Sequence, residues 1–323
     1  MEINRTFIND FENSVKNAKK IFISSHVGVD CDNLSSCLAI YSYLISLKKE
    51  VYLLKSDFIP ESYNYLPYIE KFTDSEDVDI KDCDLYISLD SADIDRLGDN
   101  KNIFLDAKTK IVIDHHATNI GYGDYNLIIP EASSTCEIIY NLFNSLDFKI
   151  TKDIATILYS GISTDTGRLL YDNVSSNTFR VMANLKDLGA NTKEINFNLF
   201  QSRPLAKVNI LKLALNNMKI IKDKIAYTYV TTDMLKEANA NLHDLDEIIE
   251  YIRDISGIEG AFLVKQYGEN FYKVSLRSKK YIDVSKIASK FNGGGHIRAA
   301  GLTYYGTIED IISLLTKEFT NDL

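Results

Sequence analysis

Short apolar runs that stop at acidic or histidine residues recur along the first half of the chain. Ile21–Ser25, Val51–Lys55, Leu85–Leu89 and Ile111–Ile113 are apolar or β-branched throughout most of their length, the pattern of strands buried on both faces of a parallel sheet. Stretches of helical spacing surround them: Phe7–Ala18 and Leu34–Leu47, then Ser134–Leu146, Ile154–Ile162 and Ser176–Leu188, the last stopping at Gly189. Leu127–Ile129 adds one more short apolar segment. The alternation predicts an α/β domain built on a parallel sheet.

The rhythm changes after a polar stretch, Asn191–Pro204, and an apolar-periodic run, Leu205–Met218. Lys224–Val230 alternates as a strand, Leu245–Ile255 has helical spacing, and Ala261–Gln266 and Phe271–Leu276 read as strands joined by a turn at Gly268. Val284–Phe291 reads as a helix, and Leu302–Tyr304 is apolar. The expected organisation is a domain over residues 1–190, a partly helical connector over 191–219 and a smaller α/β domain over 220–323.

The carboxyl ends of the predicted strands carry the chemistry, as parallel sheets do. His26, Asp30 and Asp32 follow the first strand, Asp90 ends the third, and Asp114, His115 and His116 end the fourth in the string IVIDHHATN. Asp165 follows a helical run into TDTGR, which also contains Arg168. On an extended strand end the rings of His115 and His116 are expected to face opposite ways, one toward a metal and one toward substrate. The bland alternative is a set of solvated turns with Asp32 or Asn33 capping a helix. Against it, four of the five histidines (His26, His115, His116 and His296) fall in such strings, leaving only His243 outside.

Four converging aspartates repel by about 4 kcal/mol per close pair at an effective dielectric of 20, a penalty that divalent cations remove. A ligand set of histidine and carboxylate without thiolate suits Mn²⁺ or Mg²⁺, with Fe²⁺ or Co²⁺ as alternatives, better than a structural zinc. Two such ions about 3.5 to 4 Å apart activate hydroxide for in-line attack on phosphorus. The implied chemistry is phosphoester hydrolysis.

In the second half the informative string is Gly293, Gly294, Gly295, His296, continuing through Arg298 to Gly301, with Arg277 and Ser278 ending a predicted strand upstream. Three glycines let backbone amides approach an anion, which points to phosphate or nucleotide binding.

Composition narrows the partners. Of the 323 residues 45% are hydrophobic and 25% charged, ordinary for a globular protein, and the formal net charge of −9 argues against a face for long duplex nucleic acid. A short phosphorylated substrate remains compatible. No apolar run approaches the roughly 18 residues of a spanning helix, and Met1–Asp10 lacks the segments of a signal peptide, so a cytoplasmic protein is expected. Cys31, Cys37, Cys83 and Cys136 have no close pairing and suit reduced thiols.

Taken together, SHxxxDxDxxxS, the strand-end Asp90, DHH and TDTGR resemble the DHH phosphoesterase superfamily over about residues 15–190. The resemblance implies His26, Asp30 and Asp90 as ligands of one ion and Asp32, Asp90, His115 and Asp165 as ligands of the other, with Asp90 bridging. It implies that His116 contacts the scissile phosphate. The family loop usually reads PDGD, whereas this chain has Val29, Asp30, Cys31, Asp32, which retains both acids. SLRS and GGGHIRAAG are similar to the DHH-associated C-terminal domain, which implies that Arg277, His296 and the glycines grip substrate across an interdomain cleft. The combination is similar to the family's oligoribonuclease and pAp phosphatase branch. The expected partners are short RNA oligonucleotides and pAp or related nucleotides, with a homodimer left open and no membrane. A soluble cyclic-di-AMP phosphodiesterase is the runner-up, and a non-catalytic nucleotide sensor is the alternative from another class. A manganese pyrophosphatase is disfavoured by GGGH.

Overall fold

A computed structural model describes residues 3–323; Met1 and Glu2, where the segment weighed as a leader begins, lie outside them. The chain divides between Ser202 and Arg203 into two compact units, a division that falls inside the 191–219 segment expected to connect them.

The first unit opens with α1 (Arg5–Asn17), β1 (Lys20–Ser24), α2 (Cys31–Ser46), β2 (Glu50–Leu54), β3 (Phe72–Thr73) and β4 (Leu85–Leu89). It continues with α3 (Lys101–Asp106), β5 (Thr109–Asp114), β6 (Tyr125–Ile128), α4 (Thr135–Ser145), α5 (Lys152–Asp165), α6 (Ser176–Asp187) and α7 (Thr192–Asn196). Its six strands pair in parallel in the order β3-β2-β1-β4-β5-β6. The order reverses between β1 and β4, and open sheets of this kind place their ligands beyond the strand ends at that point. His26 and Asp90 stand there.

The central strands are buried on both faces because both are packed. Ile21, Ile23, Ile87 and Ile113 join α2, α4 and α5 in one core, while Phe22, Tyr86 and Val112 pack with Leu97 and Phe104 on the other side. Each such side chain contributes about 1.5 to 3 kcal/mol by leaving water. Helix starts are marked by side-chain caps: Asp30 accepts from Asn33 N–H ahead of α2, Ser134 from Glu137 N–H ahead of α4, and Ser175 forms a capping box with Thr178 ahead of α6. All four cysteines are buried and unpaired.

The second unit holds α8 (Leu205–Asn216), β7 (Lys219–Ile221), β8 (Ile225–Val230), α9 (Thr232–Ala238), α10 (Ile248–Arg253), β9 (Gly260–Gly268) and β10 (Phe271–Ser278). It ends with α11 (Val284–Ser289), β11 (Gly294–His296), β12 (Ala299–Tyr305) and α12 (Ile308–Asn321). Its sheet runs β11-β12-β10-β9-β8-β7, with β8 and β9 parallel and the other pairs antiparallel. Ile311, Leu315 and Phe319 of α12 cover one face, and Ile210 and Ala214 of α8 pack with α10 on the other. The last two glycines of the 293–295 run lie in an edge strand, β11, paired to β12. Among the described residues no helix is long and apolar enough to cross a membrane.

Candidate active site

Four segments of the first unit deliver the donors. The turn after β1 carries His26 and Asp30. Asp30 accepts from Asn33 N–H at 2.9 Å as the cap of α2, which leaves its side chain 55% exposed at the site. The turn is tied to the sheet by Asn33, whose Oδ1 accepts from His26 N–H (3.0 Å) and whose Nδ2 donates to Leu89 O (2.9 Å).

Asp32, on the first turn of α2, is buried against the start of α4, where Thr135 N–H and Cys136 N–H donate to its two oxygens at 2.7 and 3.1 Å. These amides have no partner within their own helix, so the carboxylate satisfies them. The approach is close because α5 presents Gly161 here; a Cβ at that position would lie 2.7 Å from Asp32 Oδ1 and would collide with Cys136 Sγ.

Asp90 follows β4 with φ of +55°, a left-handed conformation uncommon outside glycine, asparagine and aspartate. Its Oδ1 accepts from Thr135 Oγ1 at 2.9 Å and lies 3.5 Å from His115 Nε2, while its Oδ2 lies 3.9 Å from His26 Nε2. One carboxylate thus faces both histidines. His115 Nε2 is also 3.5 Å from Asp165 Oδ2 at the end of α5, and His26 Nε2 is 3.5 Å from Asp30 Oδ2.

His115 and His116 do not face opposite ways. Their rings are 4.7 Å apart at 58°, and His116 Nδ1 lies 3.9 Å from the same Asp90 oxygen. The alternation of an extended strand ends at Asp114, because Asn119 N–H bonds to His116 O and turns the chain. Asp114 is fully buried and accepts from His116 Nδ1 (2.7 Å), His115 N–H (2.8 Å) and Asn119 Nδ2 (2.7 Å), which makes it an orienting group for the pair. Asn119 and Thr135 were not singled out in the sequence, and Asn33 was expected only as a helix cap, a role that Asp30 takes; an amide or hydroxyl beside a candidate ligand is the signal that marks them.

Burial pushes the Asp90 carboxyl well above the usual range, and Asp32, Asp30, Asp165 and Asp114 push it further. Burial and the same neighbours raise Asp165, and burial raises Asp32. Asp30 moves down: solvent displaced by the surrounding protein would raise it, but His26, Asn33 N–H and Arg96 outweigh this. For His116 burial favours the neutral ring, but the bond to Asp114 outweighs it and the pKa rises. Three triads each offer donor atoms within 4.8 Å of one another: His26, Asp30 and Asp90; Asp32, His115 and Asp165; Asp90, His115 and His116. Carboxylates crowded against their charge preference, with imidazole and no thiolate, fit hard or borderline divalent cations.

Gly167, Arg168 and Leu169 follow Asp165 with φ of +53°, +63° and +65°, and the Arg168 guanidinium lies 4.7 Å from the centre of the Phe200 ring. In the second unit the residues expected to bind substrate are engaged to different degrees. Arg277 pairs with Glu250 at 3.0 Å. Ser278 is buried and donates to Ile282 O at 2.6 Å, and Arg298 donates to Ile282 O at 2.7 Å and to Lys280 O, so both brace the chain ahead of α11. Gly293 N–H is taken by Ala288 O at 2.9 Å, and a Cβ at Gly293 or Gly295 would strike the β12 backbone. Those two glycines serve close packing. Gly294 and His296 are exposed.

Residues 20–162 match the DHH family, N-terminal domain, and residues 222–321 match the DHHA1 domain. The chain is 31% identical over 307 residues to the bifunctional oligoribonuclease and PAP phosphatase NrnA of Thermus thermophilus, covering 93% of this chain and 90% of that one. The chain belongs to the DHH family. It is therefore a phosphoesterase-family enzyme with the DHH and DHHA1 pairing. The Bacillus subtilis protein of the same name is 27% identical over 228 residues, 68% of this chain and 70% of that one. Among solved structures, an exopolyphosphatase-related protein from Bacteroides fragilis aligns over 98% of this chain and 96% of its own with TM-score 0.91 and 25% identity. RecJ from Thermus thermophilus in complex with Mn²⁺ shares the fold at 14% identity and TM-score 0.57, over 97% of this chain and 53% of that one.

Proposed function

We propose that this DHH-family protein hydrolyses short oligoribonucleotides to mononucleotides and removes a phosphate from pAp to leave AMP, using two divalent cations, Mn²⁺ foremost. The observation that carries the reading is Asp90, whose two oxygens face His115 and His26, rings that share no triad with each other. The substrate class is supported by the Thermus and Bacillus relatives, both bifunctional oligoribonucleases and PAP phosphatases by name. Buried, unpaired cysteines suit a reducing compartment, the cytoplasm.

His26, Asp30 and Asp90 would hold one cation and Asp32, Asp90, His115 and Asp165 the other. Bound there, divalent cations supply Lewis acidity toward water and toward the phosphoryl oxygens. The side chains do the rest. Asp114 fixes the His116 proton on Nδ1 and favours the charged ring, which presents Nε2–H to a phosphoryl oxygen. Thr135 and the α4 amides hold Asp90 and Asp32 in place, so the donors need no rearrangement when charge develops. Arg168, and His296 with Gly294 in the second unit, are the candidates for phosphate contacts away from the cleaved bond.

The test is a chromatographic time course in Mn²⁺ with a 5′-phosphorylated RNA dinucleotide, pAp and cyclic di-AMP in parallel. The reading expects mononucleotides and AMP with cyclic di-AMP intact. Preferential loss of cyclic di-AMP would make the protein a signalling phosphodiesterase, and binding without turnover would make it a sensor.

A further inference from the structure

Arg96, in the turn after β4, was not among the residues that the sequence singled out. Its Nη2 lies 3.0 Å from Nδ1 and 3.1 Å from Nε2 of His26. Arg96 O accepts from Val27 N–H at 2.7 Å, which fixes the main chain beneath it to the same donor turn, and Arg96 N–H donates to Asp93 Oδ1 at 3.2 Å within its own turn. Two residues on, Gly98 has φ of +56° and ψ of −134°, and a Cβ there would come within 2.8 Å of Val27 Cγ2. The backbone therefore approaches as only glycine permits, and the arginine is built into the wall of the site.

The guanidinium is less committed than the backbone. Among the described residues no carboxylate lies within 4.0 Å of it, although Asp30, Asp32, Asp90 and Asp165 crowd the neighbouring space. Arg203, Arg253 and Arg277, by contrast, each pair with an acid. Arg96 rests instead on an imidazole, a single-point partner that uses one of five N–H donors. An arginine whose fork is mostly unspent, at the rim of a site for divalent cations, matches the equatorial oxygens of a phosphoryl group, which guanidinium grips through two parallel bonds. Exchanging an imidazole for a phosphoryl oxygen gains a bond between opposite charges, whereas leaving a carboxylate would forfeit one.

We propose that Arg96 is a substrate-contacting residue of this site, supplying a permanent positive charge to the phosphoryl group held at the histidine and aspartate donors. The proposal rests on the phosphoesterase reading and deepens it. The rival role is purely positional: the guanidinium would only hold the His26 ring for its metal.

The experiment uses the full chain with Arg96→Ala, Arg96→Gln and Arg96→Lys. Three quantities are measured: Mn²⁺ affinity of the metal-stripped protein by calorimetry, affinity of the Mn²⁺-loaded protein for inorganic phosphate, and kcat/KM on bis(p-nitrophenyl) phosphate and on an RNA dinucleotide. The alanine and glutamine variants are expected to keep Mn²⁺ affinity within about threefold while losing about 100- to 1,000-fold in kcat/KM on both esters, with lysine recovering part of the loss. Phosphate should bind at least about tenfold more weakly. A fall in Mn²⁺ affinity that parallels the lost activity, with recovery at saturating Mn²⁺, would reduce Arg96 to positioning His26. Unchanged phosphate affinity would overturn the proposal outright. A wild type that cleaves the nitrophenyl ester but spares the dinucleotide would sink the substrate reading instead, and the phosphate measurement stands apart from turnover altogether.

Discussion

Oδ1 of Asp114 accepts a 2.7 Å hydrogen bond from Nδ1 of His116, and Asn119 holds the other oxygen of the same carboxylate at 2.7 Å. The first residue of Asp-His-His is thereby a support for the third, which it orients and whose charged form it favours. Asp114→Asn keeps the shape but removes the anion. The variant is expected to fold and to lose about 10- to 100-fold in kcat/KM, with the His116 pKa lowered in an NMR titration. An unchanged His116 pKa would show that the bond does not set its charge.

Gly161 is a helical glycine whose replacement by alanine would ordinarily gain up to about 1 kcal/mol. Here the added Cβ would meet Cys136 Sγ and Asp32 Oδ1. Gly161→Ala is expected to lose about 1 to 3 kcal/mol in urea unfolding and to weaken Mn²⁺ binding, because α5 must withdraw from Asp32. A stabilised variant with full Mn²⁺ affinity would contradict the packing described.

Arg168 stands in the middle of three consecutive left-handed residues, and the strain and the charge can be separated. Arg168→Gly and Arg168→Ala remove the same guanidinium, but only glycine relieves the backbone. The glycine variant should be about 1 kcal/mol more stable than the alanine variant. Both should lose kcat/KM on the dinucleotide alike. Equal stabilities would mean the loop relaxes on substitution.

The Asp84 carboxylate accepts from Lys19 N–H, Lys20 N–H and Lys108 Nζ at 2.9, 3.1 and 2.7 Å. The lysine bond and the backbone bonds lower its pKa to about 2. A depressed carboxyl contributes stability that is whole above its unfolded value, near 3.9, and is lost as pH falls through the folded one. Wild type should therefore exceed Asp84→Asn by on the order of 1 kcal/mol at pH 7, and the gap should narrow between pH 4 and pH 2. A gap independent of pH would leave the charge without a role.

Much of the site is visible in the sequence because each donor follows a run that can only be a buried strand or a packed helix. Ile111–Ile113 announces Asp114 to His116 in this way, and Ile21–Ser25 announces His26. What escapes depends on contacts distant in sequence or on turns. Arg96 reaches His26 across seventy residues, and nothing in the string around it marks that contact. The two-residue β3 is too short to show a period. The opposite-facing expectation for His115 and His116 extended a strand rule beyond the strand. The glycines at 293 and 295 carry a signal that anion binding and close packing share, and only the neighbouring β12 backbone reveals the packing. The helix Ile308–Asn321 is a different case: Ile308, Ile311, Ile312, Leu315 and Phe319 carry helical spacing that is legible in the sequence.

The most direct measurement strips the protein of metal, assays cleavage of a 5′-phosphorylated RNA dinucleotide, restores Mn²⁺, and repeats the series with Asp90→Asn. The account predicts no turnover without metal, full turnover on restoring Mn²⁺ to wild type, and none at any Mn²⁺ concentration for the folded variant. Turnover by the metal-free protein, or by Asp90→Asn with Mn²⁺ at the wild-type rate, would contradict it.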